Sequence, residues 1–456
     1  MTKKLFQVKD CDNLSNKEVR DLYKKFVNPS LEQVFGAFGI GDQEIDHSEG
    51  VWIYTKNNEK ILDVTGGIGV LSHGHNHPRI LQTRIEFQKK KKMEVHKTIF
   101  SPYMAALSHN IAQLLPGDLN YSFFCNSGAE SVEGAIKLAY KYHEGNRKTI
   151  LHSNISFHGK LLGSASVTAS KEVYFKYPQI PNTDSFEYGD IDSIKEKIEN
   201  HKTKSGHSDI YALIIEPFQT LNVRECSSEF LIELQKICND NDIVLIFDEV
   251  YTGWYKTGPM FNFMKTNVLP DIVTTSKSLG GGKASISAYI SRENILKKAY
   301  GNTRDALLHT STYNGFGEEC VTAIEAINIM QEENFGENSL IKLLDEFNNE
   351  VKECKGSGAL HGIFFKTDDL SIGKFLKLIP LSITKDPKFV SKLAAAAISD
   401  WMFRNYNILV IFSNTDQVSL FFKPSLIIKE EEINYFFDCL EKTLEHGFWK
   451  IVIKFA

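Results

Sequence analysis

The feature that most constrains the fold is a series of short segments that are apolar almost end to end. "KTILHS" (148–153), "IYALIIEP" (210–217), "IVLIFDEV" (243–250), "DIVTTS" (271–276) and "SISAYIS" (285–291) are rich in Ile, Val, Leu and Thr and hardly alternate with polar residues. A strand with one wet face alternates. One that does not is buried on both faces, as in a parallel sheet covered by helices. "SEFLIELQKICNDND" (228–242) lies between the second and third of these and has apolar residues at helical spacing. Upstream, the strand candidate "YSFFCNS" runs into a helix candidate, "GAESVEGAIKLAYKYH". Strand and helix in alternation from about Ser122 predict a doubly wound α/β domain with a mostly parallel sheet.

The chain has 456 residues, enough for that domain and a smaller one. After about Gly317 the pattern changes. A long helix, "EECVTAIEAINIMQEENF", leads to strands in "HGIFFKT", "NILVIFS" and "QVSLFFKPS", and then to a helix opening on acidic residues, "EEEINYFFDCLEKTLEHGF". This reads as a smaller α+β domain. Near the start, a polar helix, "SNKEVRDLYKKFV", precedes "EGVWIYTKNNEKILDV", a hairpin with an Asn-rich turn. The expected division is 1–75 as an N-terminal part of the small domain, 76–325 as the large domain, and 326–456 as the rest of the small one.

At 42% hydrophobic and 24% charged residues, the chain can fill such a core. The net charge of -5 argues against nucleic acid or a membrane surface as partner. The one dense basic run, Lys89 to Lys92, reads as a solvated helix face. Seven cysteines, an odd number with no CxxC pair, fit a reducing compartment, and no apolar run reaches membrane-spanning length. The expectation is a soluble, cytoplasmic protein.

In open α/β sheets ligands bind at the carboxyl ends of the strands, so the residues there carry the functional reading. "YSFFC" ends at Asn126-Ser127-Gly128-Ala129, a small-residue helix start with free N–H groups, which taken alone is a plain cap. "TILHS" is followed by Phe157 and His158. "ALIIE" ends at Glu216, ahead of Gln219. "IVLIF" ends at Asp248 and Glu249, and a carboxylate there needs a partner. "DIVTTS" ends at Lys277, followed by Ser278, Leu279 and three glycines that would let a bulky group approach the backbone. One cofactor uses an amine, an acid, an anion site and a stacking ring together: pyridoxal 5'-phosphate. His73, His75 and His77 alternate as metal ligands might on a strand. Gly74 argues a loop instead, and no metal is expected. Cys125 reads as a packed thiol.

In order and spacing, "GHNHP", "YSFFCNSGAESVEGAIKLA", "SFHGK", "IIEPFQ", "LIFDEVYTG" and "SKSLGGG" resemble the class III pyridoxal-phosphate aminotransferases, the ω-aminotransferase group, from about Gly50 to Leu444. Within the group, "YSFFCNSG" is most similar to putrescine aminotransferases. The resemblance implies the aminotransferase fold, with a large cofactor-binding domain and a small domain built from both termini. It implies that Lys277 is the Schiff-base lysine and Asp248 the partner of the pyridine nitrogen. Ser127, Gly128 and Ala129 match the phosphate loop, Phe157 the stacking aromatic and His158 its neighbour. Gln219 matches a residue near the cofactor hydroxyl, and Glu216 the acid on the same strand end. Thr312 matches a threonine that reaches the phosphate across a dimer interface, so a homodimer is implied.

Three positions depart from the family pattern. A glycine-rich stretch with a substrate-side glutamate is replaced by Thr220-Leu221-Asn222-Val223. The usual "GFGRTG" reads Gly253-Trp254-Tyr255-Lys256-Thr257-Gly258. The small-domain arginine that takes a substrate carboxylate is Phe421, with Lys423 two residues on and on the same strand face. Trp254, Phe421 and Lys423 are therefore the candidate substrate residues. The implied activity is transfer of an amino group between a donor, glutamate among the candidates, and an amine, keto or aldehyde substrate lacking an α-carboxylate. A lyase, aminomutase or decarboxylase of the same fold is the alternative, and a non-catalytic descendant is disfavoured by the presence of both Lys277 and Asp248.

Overall fold

The computed structural model describes residues 5–169, 179–339, 341, 351–366, 387–413, 415 and 418–455. Parts of the expected C-terminal unit, 342–350 and 367–386, therefore lie outside the described residues.

The large sheet has seven strands: β1 Leu119–Cys125, β2 Thr149–Ser153, β3 Thr183–Phe186, β4 Ile210–Ile215, β5 Val244–Asp248, β6 Ile272–Thr275 and β7 Ser287–Arg292. Their order in space is β1-β7-β6-β5-β4-β2-β3. Pairs from β6 through β3 are parallel, and β7 runs antiparallel to both β6 and β1. The non-alternating sequences are explained by two separate cores. Leu151, Leu213, Leu245, Phe247 and Val273 enter one, against Phe230, Leu234 and Cys238 of the helix Ser228–Asp240. Their neighbours Ile150, Ala212, Ile214, Val244, Ile246 and Ile272 enter the other, against Val132, Ala135 and Leu138 of the helix Gly128–Tyr142. Each of these strand residues is at most 1% exposed. Each large aliphatic side chain so buried contributes roughly 1.5–3 kcal/mol. The edge strand β3, "TDSF", is polar and short, and its sequence carries none of this signal.

The remaining strands form two four-stranded sheets and one small pair. Ile45–Glu49, Trp52–Thr55 and Lys60–Asp63 make an antiparallel meander. Its third strand pairs in parallel with Ile408–Leu409 from the far end of the chain. Val351–Ser357, Leu360–Phe365, Leu420–Phe422 and Ile411–Phe412 form the second sheet, in that order. A core of Leu62, Val64, Ile363, Phe422, Phe436 and Leu440 joins both sheets to the helix Glu430–Glu445. The expected hairpin is thus part of a larger sheet that both termini build. Among the described residues, no helix is long and apolar enough to cross a membrane.

Candidate active site

Parallel register delivers the strand ends to one edge. Asp248 sits opposite Thr274, and Phe247 opposite Ile215, so the residues after β4, β5 and β6 emerge side by side. A cavity of about 590 Å³ opens there, lined by Asn126, Ser127, Gly128, Ala129, Phe157, His158, Glu216, Thr220, Asp248, Val250, Tyr251 and Lys277, among others.

Asp248 is buried and fully engaged. Its Oδ1 accepts from the Thr274 hydroxyl at 2.9 Å and the Val250 amide at 3.0 Å, and its Oδ2 accepts from His158 Nδ1 at 2.6 Å. That bond places the imidazole proton on Nδ1. His158 Nε2, also buried, is left without a partner among the described residues. Next along the chain, Glu249 points to the other side. It accepts from the amides of Asn262 and Phe263 at 3.0 and 2.8 Å and from the Thr252 hydroxyl. Burial pushes its carboxyl up to about 7. The two adjacent acids thus part, one to the cavity and one to the core.

Glu216 Oε1 accepts from the Phe157 amide at 2.8 Å and from Gln219 Nε2 at 3.2 Å. Burial pushes Glu216 up to about 7. The oxygen of Gln219 is taken by the Asn222 amide and side chain, at 2.8 and 3.1 Å. Gln219 is buried beside the cavity and outside its lining.

At the start of the helix Gly128–Tyr142, Ser127 and Glu130 form a capping box, with Glu130 Oε2 accepting from the Asn126 and Ser127 amides at 2.8 Å each. The amides of Gly128 and Ala129 have no protein acceptor among the described residues, as a helix start provides. A Cβ on Gly128 would lie 2.7 Å from Val250 Cγ1, so only glycine fits at that point.

Lys277 follows β6 with φ 47, a left-handed conformation that is uncommon for lysine. Its Nζ stands 4.4 Å from the centre of the Tyr251 ring. Burial pushes the amine down to about 8, against the pull of the Asp248 and Glu216 carboxylates. The glycines after it have a reason other than the one expected. Gly281 and Gly282 have φ 58 and 74, and side chains there would strike Ile80 and Leu71, at 2.5 and 2.7 Å. They turn the loop and let it pack on neighbouring segments, and none of the three lines the cavity.

The other expected positions lie around this centre. Thr312 is exposed and outside the cavity lining of its own chain. Trp254 is fully buried, its Nε1 donating to Thr275 Oγ1 at 2.8 Å and its ring against Phe261. Phe421 packs with Phe218, Val223, Leu360 and Phe364. Lys423 is buried with its Nζ on the Thr220 carbonyl at 2.6 Å. None of these three lines the cavity. Tyr251 and Val250, which do, were not singled out above; they follow the strand-end acids in "DEVYTG", and that position was the signal. His73 and His75 hydrogen-bond to the Ala326 carbonyl and to Asp63, and His77 lies 3.9 Å from Glu333, so the three rings have separate surroundings. Among the described residues no group of three His, Cys, Asp or Glu could hold a metal. Cys125 is buried and its thiol is pushed up to about 12.

These groups fit pyridoxal phosphate. Two free amides at a helix start suit its phosphate. Asp248 is a buried carboxylate held in place by three donors. Phe157 and Val250 both face the cavity, and the orphaned His158 Nε2 wants a polar partner.

The sequence matches the family described as Aminotransferase class-III over residues 41–444. Three solved structures illustrate the likeness in fold. An ornithine aminotransferase from Toxoplasma gondii, reported with partial occupancy of PLP at its active site, is 20% identical over 99% of this chain and 100% of that one, with a TM-score of 0.79. An omega-transaminase from Thermomicrobium roseum is 23% identical over 97% and 99%, with a TM-score of 0.77. The acetylornithine aminotransferase from Elizabethkingia anophelis is 23% identical over 95% and 99%, with a TM-score of 0.72.

Proposed function

The chain belongs to the class-III aminotransferases, pyridoxal-phosphate-dependent transaminases, and from that premise we propose that it transfers an amino group to or from a substrate whose reacting carbon carries no carboxylate. The observation that carries this reading is Phe421. At the place where the family has an arginine, this chain has a phenyl ring in an apolar cluster with Phe218, Val223, Leu360 and Phe364. A carboxylate beside the reacting carbon would be left there without its bidentate partner, at a cost of several kcal/mol.

The cofactor, when bound, supplies an electron sink for the bond that breaks at the substrate carbon. This chain's residues do the rest. Lys277 would hold the cofactor through an amine that burial keeps partly neutral, and as a free amine it would take up and give back a proton at the reacting carbon. Asp248 would keep a proton on the ring nitrogen and is itself oriented by His158, Thr274 and the Val250 amide. The amides of Gly128 and Ala129, with Ser127, would receive the phosphate. Phe157 would face the ring, and Glu216, held by Gln219, would face its hydroxyl. Thr312, exposed in its own chain, serves the site of a second subunit, so the working unit is a homodimer. The protein acts in the cytoplasm on small amines and keto or aldehyde partners.

The test is a half-reaction screen in which bound cofactor is converted by putrescine-like amines or by α-amino acids with no second amine, such as α-aminobutyrate, in wild type and in Phe421→Arg. Wild type should favour the amines, and Phe421→Arg should shift the preference toward α-amino acids by about tenfold or more, the worth of one charge-assisted pair. An unaltered preference in Phe421→Arg, or a wild type that strongly favours α-amino acids in both half-reactions, overturns the reading.

A further inference from the structure

The amine of Lys277 is held by no hydrogen bond and no ion pair among the described residues. Asp248 and Glu216 act on it through their field alone. What stands against it is a ring. Lys277 Nζ lies over Tyr251, 4.4 Å from the ring centre, inside the range at which a cation is drawn to an aromatic face. Both residues line the cavity.

Tyr251 is firmly seated. It follows β5 in a turn fixed by the Val250 amide on Asp248 Oδ1 at 3.0 Å and the Gly253 amide on the Glu249 carbonyl at 2.9 Å. The ring lies against Gly69, where a Cβ would come within 2.9 Å of Tyr251 Cε1 and Cζ, so a side chain there would displace the ring. The Gly69 carbonyl in turn accepts from the Ser278 hydroxyl at 3.1 Å. Ser278 is the residue after Lys277, so the seat of the ring and the amine are tied to one short loop. The Tyr251 hydroxyl has no hydrogen bond among the described residues, and burial alone pushes its phenol up. The ring is therefore neutral and meets the amine with the negative face of its quadrupole, not as an anion.

Two more amines stand near the same ring, Lys423 Nζ at 5.3 Å and Lys256 Nζ at 5.9 Å from its centre. Lys277 is the nearest, and of the three it alone lines the cavity. The other two each donate to a carbonyl, of Thr220 and of Gly253. Burial, with Lys277 beside them, holds both well below the ordinary lysine range. The charge that the ring meets is that of Lys277.

We infer that Tyr251 is a positioning residue for Lys277, its ring face holding the ε-ammonium beside the cofactor cavity whenever that amine is free. The inference rests on the transamination reading for what Lys277 does, and not for where the amine is held. A lysine that takes up and gives back a proton must stay in one place in both charge states. A ring gives the ammonium that place without a direct carboxylate partner, which would lock the proton on.

The groups facing this amine set its titration. They are Asp248 at the end of β5 with His158 bonded to it, Glu216 after β4, Lys256 and Tyr251 after β5, and Lys423 after the strand Leu420–Phe422. Burial and the two lysines lower the amine, while the acids and the ring raise it. Loss of the ring must lower it further, whereas water let in by a smaller side chain would raise it.

The experiment follows alkylation of Lys277 by propanal and cyanoborohydride in the full-length, cofactor-free chain, read by peptide mass. Uptake of pyridoxal phosphate, read by absorbance, shows that each variant is folded. Wild type should give a pH profile that breaks near 8, and Tyr251→Phe, which keeps the ring, should keep the break. Tyr251→Leu should move it down by about 0.5 to 1.5 in pH, the worth of a desolvated cation–π contact. A ring-trifluorinated phenylalanine at position 251 keeps the shape and weakens the negative face. It should shift the break in the same direction, and it serves where Tyr251→Leu fails to fold. Equal breaks with plain and fluorinated phenylalanine, or an upward shift in Tyr251→Leu, overturn the inference. If the breaks move as expected while no amine converts the bound cofactor, the inference stands and the transamination reading falls.

Discussion

Lys277 sits where its own protonation can be measured, and the structure says which way each neighbour moves it. Burial pushes the amine down to about 8, while the carboxylates of Asp248 and Glu216 pull it up. An amine at that value is neutral about one time in ten at pH 7, against roughly one in three thousand for an ordinary lysine. Only the neutral amine attacks a carbonyl. Cofactor-free protein should therefore be alkylated at Lys277 by a small neutral aldehyde, trapped with cyanoborohydride, some two orders of magnitude faster at pH 7 than a free lysine side chain of equal access. The logarithm of the rate, followed by peptide mass at Lys277, should climb with pH and level off near 8. Glu216→Gln removes one of the groups that hold the proton on, so its break should move to lower pH. A break near pH 10, or one that moves upward in Glu216→Gln, would refute the argument that burial outweighs the two acids.

Other expectations follow from single contacts. Sedimentation should give a dimer or larger, and Thr312→Ala should release cofactor more readily while leaving the dimer intact; a stable, active monomer would count against the shared site. Trp254→Phe removes the bond to Thr275 inside a sealed core and should cost about 1–3 kcal/mol in denaturant unfolding. His73, His143 and His152 are each held down to about 4, mainly by burial. A histidine depressed in the fold contributes its full stability above about 6.5 and loses it as pH falls toward 4, because the unfolded chain binds the proton first. Unfolding free energy should therefore fall by roughly 1 kcal/mol per histidine between pH 7 and 5.5, and a flat profile there would contradict the burial of these rings.

The large domain was legible because its strands announce burial on both faces: Leu213 and Ile214 look alike in sequence and serve opposite cores. Convergence of Asp248, Glu216, Phe157 and Lys277 on one cavity followed from strand direction alone. Side chains displaced by backbone were not legible. Trp254 and Tyr255 have φ 66 and 69, and this left-handed pair belongs to the turn that carries the indole into the core. The glycines after Lys277 were read for a ligand, whereas their space is taken by Ile80 and Leu71. Lys423 could be placed on the same strand face as Phe421, but its depth could not: lysine in a strand is ordinarily a solvated residue. The polar edge strand Thr183–Phe186 gave no periodic signal at all.

The pairing of Leu62 with Ile408 also sets an order of events during synthesis. The ribosome releases the first strands of the small domain long before the strand that completes their sheet exists, while β1 to β7 can already condense. The early meander must wait, with the edge at Lys60–Asp63 open to wrong partners, until nearly the whole chain has emerged. Loss of the strand Ile408–Leu409 should then harm folding as much as loss of the early strands. A circular permutant joining the two ends, by shortening the stretch of chain between Leu62 and Ile408 about threefold, should refold faster than the natural chain.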